Sequence, residues 1–453
     1  MPGMAGIDRG NALPRNAVAA FLTIATLAAV SASAQQAPPA GSDARDTVVL
    51  TLAEVQRRSI TRNPASLAER EEIAIANAGL RRARTIPFNP DVSVQRTGGA
   101  GVAEIVATQE FEVLGQRGLR VQSARLGVGR ATASVSNASR LAVAEASTAF
   151  VRAIAAERRL AVTREGLALV ERLLSAVRIQ LREGEISSLE ANLAEIELGR
   201  ARTRVLAGQR AASGLLLDLK RLTGLRPEIP VRLVGDSLNA GPTTLGFPRA
   251  IFRDTIPLPI DSLLALAFGT RPDLTAAEAA VREFEALAAL ARREALPNLR
   301  LGAVVESGRG TRRVGPAIGL SVPLFNRNQG LVAERDAQRR QAALRQRAAE
   351  LRVRTDVATA VRAYQTANEE AAVSERSVRQ PSHENAALLE LAFRAGKISL
   401  PTLLLLRNQL LESELGYWEA WLARQEALVQ LQAATGTLPI SDPTSDTSPG
   451  NPR

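Results

Sequence analysis

LREGEISSLEANLAEIEL, residues 181–198, decides the fold, because the chain uses it again as FRAGKISLPTLLLLRNQL, residues 393–410. Arg182, Gly184, Ile186, Ser187, Leu193 and Leu198 recur as Arg394, Gly396, Ile398, Ser399, Leu405 and Leu410. Each copy breaks a long helical pattern at a glycine and restarts it at a serine suited to cap the next helix. The chain is therefore expected to hold two helical hairpins with related tips.

Outward from the first tip, residues 119–181 keep a helical pattern, a rod of about 95 Å at 1.5 Å per residue. Leu160, Leu167, Leu174 and Leu181 fall seven apart, with Val170 and Val177 between them, which is the spacing of a coiled-coil seam. A return helix spans 188–222, with Leu189, Leu193 and Ile196 expected to continue that seam, and stops at Thr223-Gly224. The second tip lies between helices at 330–393 and 400–434, and its return helix stops at Thr435-Gly436, at the same 212-residue offset.

Before each long helix the period changes to two. Ile105, Ala107, Phe111 and Val113 alternate with Glu104, Thr108, Glu110 and Glu112, as strands with one apolar and one polar face do. Leu301, Ala303 and Val305, and then Val314, Ile318, Leu320, Val322 and Leu324, do the same in the second half. A helix precedes each hairpin, broken at Asn63-Pro64 in one case and Arg271-Pro272 in the other.

The expected layout is a signal peptide at 1–34, a flexible lead at 35–50 and a first repeat at 51–225 with a β-hairpin at 91–113 and a tip at 182–187. A Pro- and Gly-rich linker at 226–259 leads to a second repeat at 260–436, with a β-hairpin at 299–324 and a tip at 394–399, and a disordered tail at 437–453. The signal rests on Arg9 and Arg15 ahead of an apolar run at 17–30 and on Ala32-Ser33-Ala34 as a cleavage site. The fold class is mainly α with a small β part: long α-helical coiled-coil hairpins and four transmembrane β-strands per protomer, in two internal repeats. Four strands cannot close a membrane barrel, since the smallest single-chain barrels need about eight. Exported strands in fours therefore imply copies sharing one barrel, and three copies give about twelve strands.

Composition narrows the function. There is no cysteine, hence no disulfide, thiolate metal site, cysteine nucleophile or cysteine-linked lipid. The net charge is +11 and Lys220 and Lys397 are the only lysines. The arginines are spread among glutamates at helical spacing, which disfavours nucleic acid as a partner.

With these residues in hand, the chain resembles the TolC family of outer-membrane efflux factors over nearly all of its mature length. The two tips, the return-helix endings and the helix-to-strand junctions carry the resemblance. EFEVLGQRGLR (110–120) and VPLFNRNQG (322–330) are similar to the cobalt–zinc–cadmium type, which serves heavy-metal efflux. The resemblance implies a homotrimer, an α/β-barrel with the strands in outer-membrane lipid and the helices in the periplasm of a Gram-negative bacterium. It implies a periplasmic membrane fusion protein as adaptor and an inner-membrane efflux pump of RND type. The adaptor would meet Arg182, Gly184, Ile186, Ser187, Arg394, Gly396, Ile398 and Ser399. Where relatives place acidic residues past the second tip, this chain has leucines at 403–406 and then Arg407. Aperture candidates are Glu190, Leu404, Leu405 and Arg407. Drug efflux, type I protein secretion and, in another class, a soluble periplasmic coiled-coil adaptor remain as alternatives.

No enzyme, cofactor or metal site is expected. His383 is the only histidine, Glu71-Glu72 and Glu369-Glu370 suit solvated helix faces, and Gly127-Val128-Gly129 lacks the strand, helix and lysine of a phosphate loop. Tyr417, Trp418 and Trp421 fit helix packing, with a membrane-surface girdle as the rival role. Arg309, Arg312 and Arg313 lie at the expected second hairpin turn.

Overall fold

Alanine, leucine, arginine and glutamate, all good helix formers, dominate the chain, and the computed structural model is mostly helical with a small sheet. It describes residues 47–97, 102–235, 252–253, 256–257, 259–308, 311–320 and 325–438. The expected signal peptide, most of the lead, Arg309 and most of the tail lie outside the described residues.

Helix α1 (Leu52–Thr61) starts at Thr51, whose hydroxyl accepts from the Glu54 amide. Helix α2 (Pro64–Arg84) starts at Asn63, whose side chain accepts from the Ala65 amide at 3.1 Å. Strands β2 (Asp91–Thr97) and β3 (Val102–Phe111) follow, then the 68-residue helix α3 (Gln116–Glu183) and the return helix α4 (Ser188–Leu222). After the linker come α5 (Ile260–Thr270), α6 (Pro272–Glu294), β7 (Leu299–Gly308) and β8 (Thr311–Leu320). Helix α7 (Gln329–Ser374) then runs through a π-helical turn, Glu375–Arg379, into α8 (Gln380–Arg394), and α9 (Leu400–Thr435) returns.

Three residues expected in the flexible lead are instead structured. Val48–Leu50 forms strand β1, parallel to β4 (Val231–Leu233) of the linker. Its anchor is Leu50, fully buried in the main core, with Val48, Val231 and Leu233 packed on the same cluster. Phe252–Arg253 (β5) and Ile256–Pro257 (β6) add a short antiparallel pair.

The main core joins Phe150 and Ile154 of α3, Val353, Val357 and Tyr364 of α7, and Trp418, Trp421, Leu428 and Leu431 of α9. Tyr417, Trp418 and Trp421 are thus helix-packing residues, with edge-on ring pairs at 5.2 and 5.7 Å.

Two pairs of sequence signals meet beside this core. Thr223-Gly224 packs on the break between α1 and α2, and Thr435-Gly436 on the break between α5 and α6. At the second junction, Thr270 donates to the Thr435 carbonyl at 2.6 Å and Arg271 to the Ala434 carbonyl at 3.2 Å. Arg271 is only 3% exposed there, bound to Asp273 at 2.6 Å and Asp356 at 3.0 Å.

The seam between α3 and α4 departs from expectation on the return side. Leu160, Val170, Leu174 and Val177 are buried as expected, but Leu189 (69% exposed), Leu193 and Ile196 point outward. Ala191, Ala194, Ala201 and Val205 are buried instead, with Leu198 partly so. These five keep a 3-4-3-4 spacing, so this stretch of α4 turns a mostly small-residue side inward and Leu189, Leu193 and Ile196 away.

The four long strands form one antiparallel sheet in the order β2-β3-β7-β8. Residues Val94, Ile105, Val305 and Val314 lie side by side, as do Gln109, Leu301 and Ile318. One face therefore collects Val92, Val94, Ile105, Ala107, Leu301, Ala303, Val305, Val314 and Ile318. The other collects Ser93, Gln95, Glu104, Thr108, Arg300, Glu306 and Arg313, with Gly302, Gly315 and Gly319, beside Val106, Val304 and Ala317. Among the described residues no helix covers the apolar face, and Ile318 is 76% exposed. Gly302 sits where β3 and β7 meet; a Cβ there would lie 2.1 Å from the Ala107 carbonyl oxygen.

Candidate functional site

The two tips are built alike at their first half. Gly184 and Gly396 have φ of 77° and 68°, a backbone region open to glycine at little cost. Gly184 donates to the Leu181 carbonyl at 3.2 Å and Glu185 to Gln180 at 2.9 Å; Gly396 donates to Phe393 and Lys397 to Ala392, both at 2.9 Å. This paired pattern ends each helix by satisfying its last carbonyls. Neither glycine has an atom outside its own chain neighbourhood within 4 Å of the place a Cβ would take.

They differ at the restart. Ser187 and Glu190 form a reciprocal capping box: the Ser187 hydroxyl accepts from the Glu190 amide at 3.3 Å, and the Glu190 carboxylate accepts from the Ser187 amide at 3.0 Å. Glu190, an aperture candidate, is thus also the N-terminal clasp of α4. Ser399 begins α9 without such a box, and its hydroxyl lies 3.0 Å from that of Thr402. Arg182 is exposed, while Ile186 and Ile398 are half-buried. Arg394 is the last residue of α8.

A small core draws both tips to one end of the helices. Leu174 and Val177 of α3, Ala191 and Ala194 of α4, and Leu400 and Leu404 of α9 are buried together, with Ile186 and Phe393 packed on them. Leu404 therefore belongs to a core, whereas Leu405 is 61% exposed.

Arg407 turns inward as well. Its guanidinium donates to the Gly166 carbonyl of α3. Burial lowers its pKa from the ordinary arginine value; Glu197 and Glu390 offset this, and Arg172 and Arg204 reinforce it. Around it lies a polar layer in which Arg204 binds Glu197 at 3.0 Å and Asn408 at 3.3 Å. These bonds tie α9 to both α3 and α4 at this level.

Above the tips a groove of about 400 Å³ opens between α3, α8 and α9, lined by Leu169, Leu173, Leu389, Phe393, Leu403 and Leu410. Next to it is a feature that the periodicity of the sequence did not single out, the π-helical turn Glu375–Arg379. Pro381 is its signal: a proline inside a helix lacks an amide donor and crowds the carbonyl four residues back, and one wider turn relieves this. Arg379 lies 4.6 Å over the Tyr417 ring and donates to its hydroxyl at 3.3 Å. Burial first, and then the bond to Glu375, push the Tyr417 hydroxyl up to about 12, against the pull of Arg379.

Among the described residues no cluster of His, Asp and Glu could hold a metal ion, and no helix is long and apolar enough to cross a membrane.

Residues 263–437 match the outer membrane efflux protein family. No curated protein matches the chain in sequence. Solved structures share its fold. CusC, which forms a transmembrane channel, superposes with a TM-score of 0.69 at 17% identity, over 85% of this chain and 92% of its own. The CmeC outer membrane channel of Campylobacter jejuni gives 0.70 at 15% identity, over 85% of each chain. The MtrE outer membrane channel of Neisseria gonorrhoeae, in its open state, gives 0.68 at 19% identity, over 85% of this chain and 88% of its own. The matched family and these structures are efflux proteins and channels, not enzymes.

Proposed function

We propose that this chain is one subunit of a trimeric outer-membrane efflux duct. The observation that carries the reading is the sheet. Its outer strands, β2 and β8, each present an edge with no partner among the described residues, and an unpaired edge in lipid is untenable. Pairing β8 of one copy with β2 of the next removes every edge, and three copies make a barrel of about twelve strands. The bare apolar face then meets lipid and the polar, glycine-bearing face lines the lumen. In this reading the two halves of the chain are copies of one unit.

The helices below the barrel form the periplasmic part, and the tips at 182–187 and 394–399 form its mouth. There a periplasmic membrane fusion protein docks and links the duct to an inner-membrane pump of RND type. The exposed glycine backbones at 184 and 396 allow close approach, and Arg182 and Ser399 offer directed hydrogen bonds. The duct conducts passively; opening is a shift of α8, α9 and the tips that adaptor contact stabilises. The segments at 110–120 and 322–330 favour heavy-metal cations as cargo over drugs or secreted proteins.

Fractionation and crosslinking test this reading. The chain has no cysteine, so Glu185→Cys and Lys397→Cys place unique thiols at the tips. The expected result is a heat-resistant trimer in the outer membrane whose tip thiols crosslink to a fusion protein. Extraction without detergent as a monomer would overturn it in favour of the soluble adaptor.

A further inference from the structure

The foot of the sheet, where strands give way to helices, is basic and apolar at once. The ends of α2 and α6 meet the starts of α3 and α7 there: Arg117 donates to the Arg84 carbonyl at 3.0 Å, and Asn328 to the Ala291 carbonyl at 3.0 Å. Gln116 binds Asn298 at 3.3 Å and ties the two halves of the foot together.

Arg81, Arg82, Arg84, Arg117, Arg293 and Arg327 are exposed at this level and have no carboxylate partner among the described residues. Arg120 is held by Glu112, Arg292 by Asp336 and Arg300 by Glu110. That leaves Asp91, Glu294 and Glu334 as acids of the foot with no arginine partner among the described residues. The arginines ending α2 and α6 suit the negative ends of those helices, but Arg117 and Arg327 sit at the positive ends of α3 and α7. There a cation is unfavourable, so helix dipoles do not account for the cluster.

Apolar groups share the same level. Phe325 is 92% exposed, and Ile86, Val113, Leu114 and Leu296, which lie at the other strand–helix junctions, are exposed too. In sequence they link the strands that carry the apolar face to the helices. A groove of about 820 Å³ opens there between Arg82, Ile86, Arg120, Leu287 and Leu290.

We propose that this foot is a binding surface for anionic phospholipid of the periplasmic leaflet, with arginines on the phosphates and Phe325 and Ile86 among the upper acyl chains. The proposal rests on the outer-membrane reading above. Charge complementarity and continuity with the apolar strand face select the occupant. The first tip offers no such surface, because Arg182 there is accompanied by Glu183, Glu185 and Glu190.

The test uses the full chain, purified and reconstituted into phosphatidylethanolamine vesicles with and without one-fifth phosphatidylglycerol. Lipid retained after detergent re-extraction is measured by mass spectrometry, and channel conductance is recorded in parallel. Phosphatidylglycerol is expected to be enriched over its bulk share. One arginine near an anionic headgroup layer changes partitioning about fivefold. Arg84→Gln with Arg117→Gln, and separately Arg293→Gln with Arg327→Gln, are therefore expected to lower the ratio of retained phosphatidylglycerol to phosphatidylethanolamine at least fivefold with conductance retained. Arg347→Gln with Arg352→Gln, two exposed arginines far along α7, should not. Absence of enrichment, equal loss in that control, or displacement of the lipid by inorganic phosphate alone would overturn the proposal. Failure to insert into either vesicle would instead defeat the outer-membrane reading.

Discussion

Four glycines end helices in this chain with the same backbone geometry, and alanine at each should separate packing from conformation. Gly184, Gly224, Gly396 and Gly436 have φ between 66° and 77°. Forcing an L-residue into that region costs about 1–2 kcal/mol, and the stiffer unfolded chain returns about 0.4–1 kcal/mol. At Gly184 and Gly396 a Cβ meets nothing within 4 Å, so the net cost there should be about 1 kcal/mol. At Gly224 the Cβ would lie 2.1 Å from the Arg62 carbonyl oxygen and 2.8 Å from its carbon. Backbone cannot rotate aside, and overpacking adds about 1–3 kcal/mol. At Gly436 the nearest atom, 2.7 Å away, is the Thr270 hydroxyl, which can move only by giving up its bond to Thr435. The expected order of cost is Gly224→Ala, then Gly436→Ala, then the two tip variants together. Helical circular dichroism of the detergent-solubilised protein during heating reads the order as falling midpoints. Equal shifts for Gly184→Ala and Gly224→Ala would refute the reasoning, because they would show that conformation alone sets the cost.

Three other outcomes follow from particular side chains. Burial raises the Asp273 pKa, but hydrogen bonds and charge from Arg271 outweigh it and hold the carboxyl below the usual range. The pair therefore stabilises the fold above the unfolded value near about 3.9 and loses that contribution as the pH falls further. Arg271→Met should lower stability by about 3–5 kcal/mol at neutral pH and flatten the acid limb of a midpoint-versus-pH curve; an unchanged limb argues against it. Gln432 is fully buried and neither amide atom has a hydrogen-bond partner among the described residues. Gln432→Met should raise the thermal midpoint, by about 1–3 kcal/mol in stability, and a lower midpoint would show the amide to be satisfied. Leu405→Cys in planar bilayers should let a charged thiol reagent block current, while the buried Leu404→Cys should not; equal sensitivity of the two would remove Leu405 from the aperture.

Much of the architecture was legible because its signals are local. A Gly followed three residues later by Ser marks each tip, and period-two alternation marks the strands. The partners of those signals were not. Asn63-Pro64 and Thr223-Gly224 are separate punctuation in the sequence, yet they are two sides of one contact in the fold. The α4 seam was misassigned because leucine weighs more than alanine in a hydrophobic pattern. Helices that pack closely bury their small residues, so Ala191, Ala194 and Ala201 carried the signal. The π-helical turn escaped for a different reason: one extra residue in a turn leaves no trace in periodicity, and only Pro381 pointed to it.

The leucine run past the second tip shows why a motif needs its neighbours before it can be given a role. Successive helical residues are about 100° apart, so four leucines at 403–406 sweep nearly the whole circumference and cannot all face one surface. Leu403 and Leu404 are buried and Leu405 is exposed. Arg407 comes round to α3, where its guanidinium donates to the Gly166 carbonyl. The positive charge of that candidate is thereby committed to a carbonyl inside the helix bundle, and Glu190 is engaged in a cap. Of the four aperture candidates, Leu405 is left with a free face. In a trimer, a constriction at this level would therefore be an apolar one, closed by packing of three copies of that side chain and opened when α9 turns or withdraws.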